Sequence, residues 1–213
     1  MRIAILGASG KTGQPLIAEA LARGHEVIAI VRTPEKLVID DARVIKRKGD
    51  AFDEASVIAA LEGADAVITT VGKTDLRDKR VNLSTAAHRA VVAGMRKHGI
   101  RRLLVISSIG AAQGVKRKGW RRNIYLYLRR KYYSDMYQME QEVLSSGLDV
   151  TVLRAPMLYD GSQTGNYRII EDENYLNELR LARADLAHFL LQDVADNKWV
   201  NRTIAIADQA ASR

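Results

Sequence analysis

With 213 residues, 47% of them hydrophobic, the chain is long enough for one sizeable α/β domain and too short for two large ones. The absence of cysteine excludes disulfides, thiolate metal sites and a cysteine nucleophile, and no apolar run approaches the roughly 18 residues that span a bilayer. The net charge of +8 is local: Lys116, Arg117, Lys118, Arg121, Arg122, Arg129, Arg130 and Lys131 lie in one acid-free stretch, and without them 25 basic residues balance 25 acidic ones.

The first thirteen residues, MRIAILGASGKTG, read as strand, tight turn and helix start. Arg2–Leu6 is a short apolar run, and a helical pattern follows over 14–23. Gly7 lets the chain leave the strand, Gly10 clears space for a phosphate, and Gly13 lets the helix pack closely on the strand. Free N–H groups and the helix dipole then face a pyrophosphate, so this stretch predicts a dinucleotide. Met1 leads straight into the strand, so no signal peptide is expected and the expected location is cytoplasmic.

A second strand, HEVIAIVR over 25–32, ends on Arg32, about 19 residues beyond Gly13, where an NAD site usually has an acid for the ribose 2′-OH. A cation there suits the 2′-phosphate of NADP. Lys36 follows on a short helix opened by Thr33 and Pro34, and the two cations are expected to reach one phosphate. A third strand over 43–48 ends at Gly49-Asp50, and a polar helix covers 53–61. A fourth strand over 65–71 ends at Gly72, and a helix runs 82–98, stopped by Gly99. A fifth strand covers 102–106, with Ser107 and Ser108 at its C-terminal end. The basic segment occupies 111–133, and a helix continues to Ser146. A sixth strand over 149–154 precedes Ala155-Pro156-Met157. A loop with Gly161 and Gly165, a helix over 183–193 and a last strand over 203–207 complete the chain.

This alternation predicts a Rossmann-like, doubly wound parallel sheet with helices on both faces, in a single domain spanning 1–213. Ligands of such sheets bind outside the strands' carboxyl ends. Gly7, Arg32, Asp50, Gly72, Ser108 and Met157 all stand at such ends, so distant positions are expected to converge on one crevice. His25, His88, His98 and His188 have no ligand spacing, and no metal site is expected.

The chain resembles the atypical short-chain dehydrogenase/reductases of the NAD(P)-binding, NmrA-like kind, most closely their biliverdin reductase B/flavin reductase branch. The resemblance rests on GASGKTG (7–13), IVR (30–32), GD (49–50), ISS (106–108), SGLDVTVLRAP (146–156), DGSQTGNY (160–167) and RADLAHFLL (183–191). It implies that Gly7, Ser9, Gly10, Thr12 and Gly13 cradle the diphosphate of NADP(H). It places Arg32 and Lys36 at the 2′-phosphate, Asp50 and Ala51 at the adenine, and Val71 and Gly72 along the passage to the nicotinamide. Ser107, Ser108, Pro156 and Met157 border nicotinamide and substrate, with Ser108 as the candidate catalytic residue. Asp50 could instead cap the next helix, and the two serines could simply satisfy a strand end.

Two departures bear on the chemistry. Counting back from SGLDVTVLR, the superfamily's Tyr-x-x-x-Lys columns fall on Tyr132 and Met136, and methionine cannot activate a tyrosine. A literal Tyr-x-x-x-Lys at Tyr127 and Lys131 is out of step with Ser108. Where biliverdin reductase B has a histidine after the proline, this chain has Met157. Hydride transfer to a planar acceptor such as a flavin or tetrapyrrole needs stacking more than a protein acid, so an NADPH-dependent reductase of such acceptors is expected. The alternative is an NADP-binding redox sensor without turnover. A nucleotide-sugar enzyme would need a larger C-terminal substrate region. The basic segment reads as a flap or helix whose tyrosines and leucines pack on the domain. A protein contact, nucleic acid and membrane stay open for it.

Overall fold

The computed structural model describes residues 1–72, 82–112, 124, 127–170 and 179–209. β1 (Arg2–Leu6), β2 (Glu26–Val31) and β4 (Ala66–Thr69) are almost wholly buried and rich in isoleucine and valine, as strands covered on both faces must be. β3 (Val44–Lys48), β5 (Arg102–Ser108), β6 (Asp149–Ala155), β8 (Tyr167–Ile170) and β10 (Arg202–Asp208) complete a sheet of order β3-β2-β1-β4-β5-β6-β10-β8. The order reverses between β1 and β4, which opens the crevice described below.

Helices cover both faces. Ile3 and Ile5 of β1 pack with Leu16 and Ile17 of α1 (Gly13–Ala22) and with Leu186 and Leu190 of α5 (Arg183–Asp196). Ala4 and Leu6 face the other layer, built from Val57 of α2 (Glu54–Ala60), Val91 and Met95 of α3 (Leu83–His98), and Met139 and Val143 of α4 (Arg130–Leu144). The alternation along β1 decides which helix layer each side chain meets.

Two buried ion pairs tie the layers to the sheet. Arg154 of β6 meets Glu140 of α4 at 2.6 Å. Arg102 of β5 meets Asp193 of α5, which also accepts from Thr151 Oγ1 and the Trp199 N–H. The N-terminus of α3 is closed from a distance. Asn82 adopts a left-handed conformation and supplies no side-chain cap. Asp135 of α4 instead accepts from the N–H groups of Ser84 and Thr85 at 2.8 and 3.1 Å.

The structure departs from the sequence expectation in four places. The sheet is parallel except at β8, which pairs antiparallel with β10. The region expected as loop after Met157 also holds β7 (Met157–Tyr159) and β9 (Arg180–Ala182), a small parallel pair. Strands of three and four residues are too short to show a period in sequence. β5 continues through Ser107 and Ser108 because both pair with β6. α4 begins inside the basic segment, of which residues 113–123 and 125–126 lie outside the described residues.

Candidate cofactor and active site

The crevice at the switch point, about 190 Å³, is lined by Gly7, Ser9, Gly10, Arg32, Asp50, Ala51, Val71 and Gly72, with Phe52, Thr70 and Leu83. The turn that forms its floor is built for close approach. Gly7 has φ +90°, and a Cβ there would lie 2.5 Å from Thr70 Oγ1. That hydroxyl shares its proton between the carbonyls of Leu6 and Gly7 and so clamps β1 to β4. A Cβ on Gly13 would lie 2.5–2.6 Å from backbone atoms of Ala8. The turn closes on itself through Gly10 N–H to Gly7 O and Gln14 N–H to Gly10 O. Such a cradle, with no side chains in the way at a helix N-terminus, fits a diphosphate.

Arg32 is exposed on the crevice wall, at the end of β2. Lys36, in a 3-10 turn over Pro34–Lys36, lines a neighbouring groove with Ser9, Leu37, Val38 and Ile39. The two cations therefore flank Ser9 from adjoining grooves and do not share one wall. Asp50 does not cap α2. Its Oδ1 accepts from the Phe52 N–H, and Asp53 caps α2 by accepting from Ser56 N–H. Asp50 stands on the crevice beside the half-exposed Phe52 ring.

Thr12 and Gly13 sit at the start of α1, and neither lines the crevice. Ser108 Oγ accepts from the Gly110 N–H at 3.1 Å and so caps the short turn after β5. Ser107 is buried, and its Oγ has no hydrogen-bond partner among the described residues. Pro156 is buried, while Met157 is 69% exposed. Tyr132 points toward the crevice: its hydroxyl lies 3.7 Å from where a Gly72 Cβ would be. Met136, one turn further along α4, is buried. Tyr127 of the literal Tyr-x-x-x-Lys is 63% exposed, with Arg130 stacked over its ring.

Sequence reasoning missed Phe52, Thr70 and Leu83. The available signal for Thr70 was a second hydroxyl at the end of an otherwise apolar strand. The conspicuous RAD of RADLAHFLL holds the 160–165 loop. Asp185 accepts from the N–H groups of Thr164 and Gly165 and from Thr164 Oγ1, and Arg183 pairs with Asp160.

Beneath the site, His88 is buried between Thr69 and Ser84. A carbonyl can only accept, so Nδ1–H donates to Ser84 O and Nε2 accepts from Thr69 Oγ1, each at 2.7 Å. Both nitrogens of the neutral ring are satisfied, and burial, which disfavours the charged form, pushes its pKa below the ordinary 6.5. The unfolded chain takes up this proton near 6.5 and the folded chain only at lower pH. Its contribution to stability is therefore complete above about pH 6.5 and falls as the solution is acidified. Urea midpoints are expected to drop between pH 7.5 and 5, as approximate set points, more steeply in the wild type than in His88→Gln. Equal slopes would contradict this assignment.

The NAD(P)H-binding family matches residues 7–197. The uncharacterized protein YwnB of Bacillus subtilis (strain 168) is 26% identical over 222 residues, covering 99% of this chain and 100% of that one. ChuY, an anaerobillin reductase from Escherichia coli O157:H7, has a TM-score of 0.82 at 24% identity, covering 100% of both chains. A short-chain dehydrogenase/reductase from Veillonella parvula DSM 2008, in complex with NADP, has a TM-score of 0.80 at 18% identity over 100% of this chain and 96% of that one. At these identities the two solved structures share the fold. Crevice, topology and family match agree, and the chain belongs to the NAD(P)H-binding family.

Proposed function

We propose that the chain is an NADPH-dependent reductase that passes a hydride to a small planar acceptor of the flavin or tetrapyrrole class. The observation that carries this reading is the crevice itself: a glycine cradle with Arg32 on its wall and no acid at the end of β2. Bound NADPH would supply the hydride. Gly7, Ser9, Gly10, Thr12 and Gly13 would hold the diphosphate, Arg32 the 2′-phosphate with Lys36 flanking it, and Asp50, Ala51 and Phe52 the adenine. Val71, Gly72, Ser107, Pro156 and Met157 would border nicotinamide and acceptor. An exposed thioether wall at Met157 suits a flat apolar substrate of loose specificity. The likeness to an anaerobillin reductase supports a reductase of this kind.

Tyr132 would orient the acceptor, since Met136 brings no charge to activate it. Ser108 Oγ accepts from the Gly110 N–H, which orients the hydroxyl and leaves its own O–H to donate to the acceptor. The methionine at 136 in place of a lysine also favours a second reading, an NADP-binding sensor without turnover. NADPH oxidation by the purified chain with FMN separates the two. Steady turnover is expected. In Arg32→Ala, NADPH affinity is expected to fall about 10- to 150-fold, the roughly 1.5–3 kcal/mol of a charged hydrogen bond, with NADH affinity unchanged. Tight NADPH binding with no turnover of FMN or related acceptors would establish the sensor, and equal losses for both nucleotides would overturn the 2′-phosphate assignment.

A further inference from the structure

At the start of α4, exposed cations lie beside apolar side chains that face water. Ile124, Tyr127 and Leu128 have helical backbone and are 50%, 63% and 74% exposed. Their spacing of three and four residues puts them on one side of a helix. The expectation that the tyrosines and leucines of this stretch pack on the domain fails at Tyr127 and Leu128, whereas the Tyr133 ring packs over Gly110, and Tyr125 and Leu126 lie outside the described residues. Arg130 and Lys131 are exposed beside them. Arg130 lies 4.3 Å over the Tyr127 ring and donates to the Tyr127 carbonyl, so cation and aromatic form one unit. In the sequence no acid falls between 111 and 133, and five further cations and Trp120 fall over 116–122, outside the described residues. The first acid that follows, Asp135, is buried against α3 and offers this surface no compensation.

We propose that this surface docks on an anionic lipid bilayer, with Arg130 and Lys131 among the headgroups and Ile124, Tyr127 and Leu128 at the acyl boundary. A basic surface is drawn to anionic lipid, and exposed aliphatic side chains gain by leaving water there. A nucleic acid would use the same cations and stack on the tyrosine, yet it would leave Ile124 and Leu128 in water. Among the described residues no helix is long and apolar enough to cross a membrane, so the attachment is peripheral. The docking residues run directly into α4, whose Tyr132 faces Gly72. A docked molecule therefore holds the nicotinamide end of its crevice near the lipid surface. The docking stands whether or not the chain is a reductase.

Flotation of the full chain with vesicles tests it. Binding is expected to phosphatidylcholine vesicles carrying phosphatidylglycerol, to weaken with added salt, and to be lost on phosphatidylcholine alone. The Ile124→Ser/Leu128→Ser double variant keeps every charge and is expected to bind at least about tenfold more weakly, because two aliphatic side chains no longer enter the boundary. Arg130→Gln/Lys131→Gln is expected to weaken binding and flatten the salt dependence. All four positions face solvent, so each variant should keep the wild-type NADPH affinity and thermal midpoint. No binding to anionic vesicles would overturn the proposal. So would vesicle binding that the double serine variant leaves unchanged, which describes a polyanion surface, and duplex DNA bound more tightly than the vesicles would identify nucleic acid as that polyanion.

Discussion

Asp193→Ala is expected to remove about 3–5 kcal/mol of folding stability, the largest effect of any single substitution considered for this chain. Asp193 is 2% exposed and serves three partners from three parts of the chain: Arg102 of β5, Thr151 of β6 and the Trp199 N–H after α5. Burial already pushes the Arg102 guanidinium below the ordinary arginine range, and Asp193 is the main group opposing that. Removing the carboxylate strands a cation in the interior, and the cost is that of an uncompensated charge. Asp193→Leu/Arg102→Met, which removes both charges and keeps the volume, is expected to recover much of the loss. Urea unfolding of the three proteins checks this. A double variant no more stable than the single one would show that hydrogen bonds to Thr151 and Trp199 outweigh the ion pair.

Gly13→Ala is expected to damage stability and dinucleotide binding together. The added Cβ meets the backbone of Ala8, which is fully buried and tied to β2 through its N–H. A flexible side chain could swing away, but this backbone cannot. α1 must lift from β1 or the turn must open, at about 1–3 kcal/mol for such overpacking. Either movement displaces the N–H groups at the start of α1. Affinity is therefore expected to fall by at least about tenfold for NADH and NADPH alike, the factor that 1.4 kcal/mol represents. The Arg32→Ala loss, by contrast, is confined to NADPH. Titration of both variants with both nucleotides distinguishes damage to the diphosphate cradle from loss of the 2′-phosphate contact. Wild-type affinity in Gly13→Ala would mean that the cradle does not hold the diphosphate.

Much of this arrangement is legible in the residues. The buried runs of β1, β2 and β4 are continuous because both faces are covered, and their glycine-bounded ends mark the side on which the crevice opens. Gly7, Arg32, Asp50 and Gly72 come together there as strand-end residues of a doubly wound sheet should. Lys36 diverges because the 3-10 turn carries it into the next groove, and spacing alone could not show which way that turn faces. The short pair β7–β9 and the antiparallel β8 left no periodic trace, since three or four residues complete too little of a pattern.

By itself, the sequence determined the fold class, the position of the glycine cradle and the cation at the end of β2. These depend on local backbone freedom and on hydrophobic period, which neighbouring residues in the chain carry. Only the tertiary structure decided the remainder. Asp135 closes α3 from about fifty positions away, a separation at which no local capping pattern operates. Asp193 gathers Arg102 and Thr151 across the sheet, and Tyr132 is brought to Gly72 by the packing of α4. The Asp135 and Asp193 bonds pair polar groups between elements distant in sequence, and burial selects such pairs once the chain has folded.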